Sequence, residues 1–407
     1  MTACAIEPSA DPGNDGGPQA ACTITADGAY AARLARSGDS WYPERWTLDG
    51  PEPYAVPLPG NQPEEPGTGL MPMGDGRVLI HRRAAGRHLF TLLYPTGPDT
   101  GELPLGSVEC PPDTTRLRLL PPAPGGERAY ALAVGRRSTA VWLVAGGAFG
   151  PELLAEVPGR CSGGVWLDRT ARMLALDRET GGRTKAVVVD LERGGEVSPL
   201  LQIAADSDDR VLLADPESGL LLLRSDAPAP GAEPRLGWGV LGSTLPVRFP
   251  ECLRLPECTV TPFAIQPGQV LTPERCAVAL RLDGPFGSWV GVWRPAERQV
   301  HHLPAPDGWL AGGGTWTADG VLRLPYATVE LPCGLARLTL PDADDTGPET
   351  AASTAAGDAE AAATGPEARR TAADQGGRAE AEPDPQASAA ARPVPLQQAP
   401  LARRVTK

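Results

Sequence analysis

Thr25-Ala26-Asp27-Gly28-Ala29 separates a short apolar run from an alternating one, Tyr30-Ala31-Ala32-Arg33-Leu34, and the same punctuation returns along the chain. Gly74-Asp75-Gly76-Arg77 leads into residues 77–81, and Thr317-Ala318-Asp319-Gly320-Val321 into residues 321–325. Asp-Gly suits a tight hairpin because Gly adopts positive φ without a Cβ clash and Asp accepts from the turn's own N–H groups. Equivalent turns fall at Gly125-Gly126, Asp168-Arg169, residues 215–219 and Thr272-Pro273. The interval is about 43 to 57 residues, the length of a four-stranded propeller blade.

Each turn is followed by a strand-like segment, at 30–34, 77–81, 128–134, 172–176, 220–224, 276–282 and 321–325. Several of these alternate apolar with polar, while Leu220-Leu221-Leu222-Leu223 is continuously apolar, as expected of a strand covered on both faces. A third strand in each unit then presents Trp46, Leu92, Trp142, Val188, Trp238, Val292 with Trp293, and Leu338, which we assign to the core between blades. The pattern predicts an all-β chain, a seven-bladed β-propeller over residues 21–342. Six blades are the alternative, because the widest gap, between Asp215 and Thr272, contains residues 228–234 and 252–258, where an insertion can hide. The seventh unit supplies three strands. An N-terminal segment, 1–20, is expected to close the ring by donating a fourth from residues 3–6. From Ala343 onward the chain has no aromatic residue and few large aliphatics, so 343–407 is expected to be a disordered tail.

The Asp-Gly hairpins resemble the Ser-Pro-Asp-Gly-Arg turn of TolB-like propellers. Related repeats form the amino-terminal propellers of prolyl-oligopeptidase-type serine peptidases. The resemblance covers residues 21–342 as a pattern, with Asp-Gly kept in the turns at Asp27, Asp75 and Asp319. Peptidases of that type add a hydrolase domain with a Gly-x-Ser-x-Gly nucleophile elbow, and this sequence contains no such pentapeptide. Ser162, between Cys161 and Gly163, and Ser288, after Gly287, come nearest, so the resemblance implies a propeller without the peptidase activity.

Composition narrows the function further. The net charge of -13 disfavours general binding to nucleic acid or to an anionic membrane surface. No segment approaches the roughly 18 apolar residues of a membrane span, and the first fifteen or so residues lack the pattern of a secretory signal. A cytoplasmic protein with reduced cysteines is therefore expected, monomeric on its own. The four histidines, His81, His88, His301 and His302, form no zincin pattern. The last two sit where an outer strand would point their rings to opposite faces. Cys252 and Cys258 lack zinc-knuckle spacing, and the inner segments assigned at 165–167 and 315–317 offer few ligands, so neither metal nor cofactor is expected.

One charge distribution stands out. The hairpins joining second to third strands emerge on one face of the disc. In the first four units they carry Arg36, then Arg82, Arg83 and Arg87, then Arg136 and Arg137, then Arg178, Arg183 and Lys185. Glu64, Glu65, Asp206, Asp208 and Asp209 lie in connections on the same face and dilute this basic arc. The arc is the candidate surface for an acidic segment of an unidentified protein partner or for a phosphate-bearing ligand, acting within a Debye length of about 8 Å. The reading is a non-enzymatic interaction or regulatory propeller. The alternatives are an accessory propeller of a separately encoded hydrolase, and a small-molecule sensor using the central channel.

Overall fold

The computed structural model describes residues 22–229 and 231–339. They form seven antiparallel sheets in chain order, and the sheet count settles the choice between six and seven blades. Blade 1 contains Thr23–Ile24, Tyr30–Ser37, Ser40–Thr47 and Tyr54–Pro57. Blade 2 contains Gly69–Pro72, Val78–Ala84, Arg87–Pro95 and Thr100–Val108, and blade 3 Thr114–Leu119, Ala129–Gly135, Ser138–Ala145 and Glu152–Pro158. Blade 4 follows with Arg160–Trp166, Met173–Thr180, Arg183–Asp190 and Glu196–Leu201. Blade 5 has Asp209–Ala214, Leu220–Ser225 and Arg235–Val240. Blade 6 has Thr259–Ile265, Val278–Gly284, Gly287–Trp293 and His301–Leu303, and blade 7 Thr315–Trp316, Val321–Tyr326 and Gly334–Thr339. First strands of successive blades approach one another, including those of blades 2 and 3, 4 and 5, 5 and 6, and 6 and 7, which places them at the inner wall.

The continuous leucines of blade 5 show how the blades are held. Leu221 and Leu223 enter a cluster with Leu167, Val188 and Leu201 of blade 4, whereas Leu220 and Leu222 enter another with Val278, Leu280 and Trp293 of blade 6. One strand thus feeds two cores, and every residue must be apolar because neither face meets water. Each fully buried leucine contributes roughly 1.5–3 kcal/mol.

Aspartate recurs in the first turns because it closes them. Asp27 Oδ1 accepts from Ala29 N at 3.0 Å and Asp75 Oδ1 from Arg77 N at 3.0 Å. Asp168 Oδ1 accepts from Arg172 N and Met173 N at 3.0 and 2.9 Å. The glycines that follow in blades 1, 2 and 7, Gly28, Gly76 and Gly320, have φ of 74°, 81° and 83°, a region costly to other residues.

Two departures from the sequence pattern have local causes. The gap in blade 5 hides no further blade: Arg248 bridges Trp238 through paired N–H···O bonds of 2.9 Å, a fourth-strand position reduced to a single bridge. The inner strand of blade 4 begins at Arg160, before the segment 165–167 assigned to it. The register shifts between Ser162 and Val165, where Gly163 and Gly164 stand at φ 72° and 129°, so no simple alternation marks the strand's start.

Blade 7 has three strands among the described residues and packs on blade 1 through a cluster containing Ala31, Trp46, Leu48, Leu310 and Cys333. The expected closing strand at residues 3–6 and the expected tail at 343–407 both lie outside the described residues.

Ala85 carries a test of the hairpin geometry. With Gly86 it forms the two-residue tip of blade 2 at φ 51° and 78°, the positive-φ pair of a type I′ turn, where Asn-Gly is preferred. Ala85→Asn is therefore expected to raise stability by about 0.5–1 kcal/mol, because Asn tolerates left-handed backbone better than Ala. Chemical denaturation reads this as a higher midpoint at unchanged slope, and a lower midpoint would contradict the turn assignment.

Candidate functional site

Alternating strand direction brings the hairpins between second and third strands, and the connections into each next blade, to one face. Their tips are Gly38-Asp39, Ala85-Gly86, Arg136-Arg137, Gly181-Gly182, residues 226–229 with 231–234, Pro285-Phe286 and residues 327–333. All the arginines of the basic arc lie at or near these tips, but they do not share one environment.

Arg82 is turned against the connection from blade 1. Its Nε lies 3.1 Å from both oxygens of Glu64 and its Nη2 2.6 Å from Oε1, with Glu102 at 3.3 Å. Lys185 is drawn inward: Nζ donates to Asp209 Oδ2 at 2.8 Å, Ser207 Oγ at 3.0 Å and the Ala204 carbonyl, and Asp209 is fully buried. Arg87 meets Glu109 at 2.5 Å, whereas Arg137 lies 4.0 Å from Asp113 and Arg183 3.7 Å from Asp208, and all three are surface pairs of small energetic weight. The stem of Arg178 lies against Gly159 beside Cys161. Arg83 and Arg136 are exposed and make no ion pair among the described residues. The arc is thus a few outward guanidinium groups set among paired ones.

The same face carries apolar tips that charge counting does not reveal. Phe286 is 91% exposed at the hairpin of blade 6, and Val329 is 102% exposed in the corresponding loop of blade 7, with Leu331 half-exposed beside it. The available signal was an aromatic residue in the two-residue turn Pro285-Phe286. The opposite face also has exposed tips, Phe149 and Leu271, but its first turns carry Asp27, Asp75 and Asp168.

At the inner wall Arg118 of blade 3 and Arg210 of blade 5 both reach blade 4. Arg118 Nη2 donates to the Gly163 carbonyl, while Arg210 donates to Ser162 Oγ at 3.1 Å and Thr184 Oγ1 at 3.2 Å. Asp177 lies behind them, accepting from Val211 N at 2.9 Å. Burial lifts its carboxyl to about 7, against the opposing pull of that N–H, Arg210 and Arg118. Burial lowers the Arg118 pKa, and the like charge of Arg116 lowers it further.

The two serines nearest to a nucleophile motif are hydrogen-bonded within the fold. Ser162 Oγ accepts from Arg210, and Ser288 Oγ donates to Asp283. His81 Nε2 lies 2.8 Å from His88 Nδ1. Burial, then His88 and Arg83, hold His81 down to about 4, so it is uncharged at neutral pH. Burial pushes the Cys22 and Cys333 thiols up to about 12 and Cys161 up to about 11, far from the thiolate form. His301, partly buried, faces Glu297 at 3.1 Å, and His302 is exposed on the other side of the strand, as the alternation predicted. Among the described residues no group of three or more His, Cys, Asp or Glu side chains is placed to hold a metal ion. No helix among them is long and apolar enough to cross a membrane.

No family model matches the chain, and no curated protein matches it. Solved structures do. An oligogalacturonate lyase from Vibrio parahaemolyticus aligns with a TM-score of 0.50 at 9% identity, covering 80% of this chain and 93% of that one. A prolyl endopeptidase structure aligns at 0.46 and 14% identity, covering 79% of this chain but 47% of the peptidase. A putative TolB from Agrobacterium tumefaciens aligns at 0.36 and 14% identity, covering 71% and 92%. TolB and peptidase propellers are thus among the structural neighbours, as the hairpins led us to expect. At these identities the likeness is one of fold.

Proposed function

We propose that this propeller is a non-catalytic docking module, which holds an acidic, partly apolar segment of a protein partner against the face bearing the second-to-third-strand hairpins. The observation that carries this reading is the coexistence there of fully exposed Phe286 and Val329 with the unpaired guanidinium groups of Arg83 and Arg136. Exposed aromatics and aliphatics lose free energy to water and serve as anchors when a partner covers them. Unpaired rim arginines steer an acidic partner and fix its orientation, more than they add affinity. Blade packing holds the tips in place before binding, which limits the entropy lost on association.

A combined Arg83→Ser, Arg136→Ser and Phe286→Ser variant tests this. Partners cross-linked to the full chain are identified, and their affinity is measured for the parent and the variant over a salt series. Affinity is expected to fall about tenfold or more, and the residual binding to lose much of its salt dependence. Equal affinity in parent and variant, or turnover of a substrate by the isolated chain, overturns the reading. An accessory role beside a separately encoded hydrolase is the second reading. It predicts that the captured partner is that hydrolase.

A further inference from the structure

Arg118 and Arg210 come from the blades on either side of blade 4 and end on adjacent residues of one inner strand, Gly163 and Ser162. A guanidinium group has five N–H donors in a rigid fork. The hydrogen bonds found use one donor of Arg118 and two of Arg210, and Arg210 is exposed, so donors remain for something beyond the protein. Neither group makes an ion pair within the domain's described residues. The carboxyl that acts on both, Asp177, is buried, with Oδ2 against Gly163, where an added Cβ would lie 2.7 Å away.

Like charge accumulates here. Arg116 shares the strand of Arg118 and weakens its hold on a proton. Arg224, on the second strand of blade 5, donates to the Val260 carbonyl at 2.9 Å and feels both Glu233 and Arg210. Arg118 and Arg210 thus share one buried carboxyl, Asp177, and partial burial amplifies the electrostatic terms between charged groups there. Arg33 and Arg82, by contrast, each meet a carboxylate, Glu44 and Glu64, at 2.6 Å. An anion seated between the inner strands would supply the missing match, with two forks and the hydroxyls of Ser162 and Thr184 to hold it.

We propose that Arg118, Arg210 and Ser162 at the inner wall, with Thr184 from the third strand of blade 4, form a binding site for a small oxyanion ligand carrying two or more phosphate or carboxylate groups. It shares no residue with the arginines and apolar tips proposed to dock a protein partner.

Calorimetric titration of the full chain with pyrophosphate and with citrate, at matched ionic strength in chloride, tests the proposal. Saturable binding is expected with a dissociation constant on the order of 100 µM or tighter for at least one of them, and the tighter of the two identifies the source chemistry. Arg210→Ser, at an exposed position, is expected to weaken binding about tenfold or more while the unfolding midpoint shows that the domain still folds. Arg210→Lys should fall between, since it keeps the charge and loses the fork. The rim variant with Arg83→Ser and Arg136→Ser should bind as the parent does, so failure here and failure of the docking reading are distinguishable. Absence of saturable binding by both anions, or an unchanged constant in Arg210→Ser, overturns the proposal.

Discussion

Replacing Lys185 with Met is expected to lower the free energy of unfolding by about 3–5 kcal/mol. Lys185 is the only lysine before the C-terminal residue, and its ammonium is bonded across the junction of blades 4 and 5. Asp209 receives it at 2.8 Å and also accepts from Ile203 N at 3.1 Å, Ser225 Oγ at 2.6 Å and Ser207 Oγ at 2.9 Å. Asp209, Ser207 and Ser225 are all fully buried. The methionine stem fills the same channel, so packing changes little. The lost charge leaves a carboxylate in the interior with hydroxyl and N–H donors alone. Adding Asp209→Asn should recover part of the loss, and a double-mutant cycle should show coupling of about 1 kcal/mol or more. Denaturant unfolding measures both. A Lys185→Met variant as stable as the parent but impaired in partner capture would mean instead that Lys185 belongs to the docking surface.

Trp46→Ala is expected to cost a similar amount, about 3–5 kcal/mol, at the seam between the first and seventh blades. Trp46 is fully buried and packs with Leu48, Leu310 and Cys333. Its indole N–H donates to Glu44 Oε2 at 2.7 Å, and the guanidinium of Arg33 lies 4.9 Å from its ring centroid. Glu44 also receives Arg33 Nε at 2.6 Å, so one side chain links cavity, hydrogen bond and ion pair. Trp46→Phe keeps most of the volume and still leaves Glu44 with Arg33, so it should cost clearly less than Trp46→Ala. Equal losses in the two variants would show that the indole N–H, and not the packing, holds the seam.

The blades were legible because most use the same local devices. Aspartate caps the turn before the second strand in blades 1, 2, 4 and 5, and the strand after the turn alternates or runs apolar according to how many faces are covered. The order of strands follows from that alone. Blade 5 obscured its outer edge because a single bridge at Arg248 has no periodicity to read. Blade 4 hid its inner start because Gly163 and Gly164 interrupt alternation. The site was less legible. The sequence places Arg82 and Lys185 in the right hairpins and Glu64 and Asp209 on the same face. Which carboxylate meets which cation depends on how each connection returns across its neighbour. Arg116 and Arg118 alternate with Leu117 and Leu119 as any strand does, and Arg210 is remote from both in sequence. The convergence of Arg118 and Arg210 on blade 4 exists only once the ring is built.

Hydrogen–deuterium exchange on the full chain, with and without its captured partner, tests the docking reading most directly. The expected result is slowed exchange at residues 83–88, 136–138, 285–288 and 328–333, all on one face. Slowed exchange at the Asp-capped turns, 74–77, 168–172 and 215–219, with none at the first set, would contradict it.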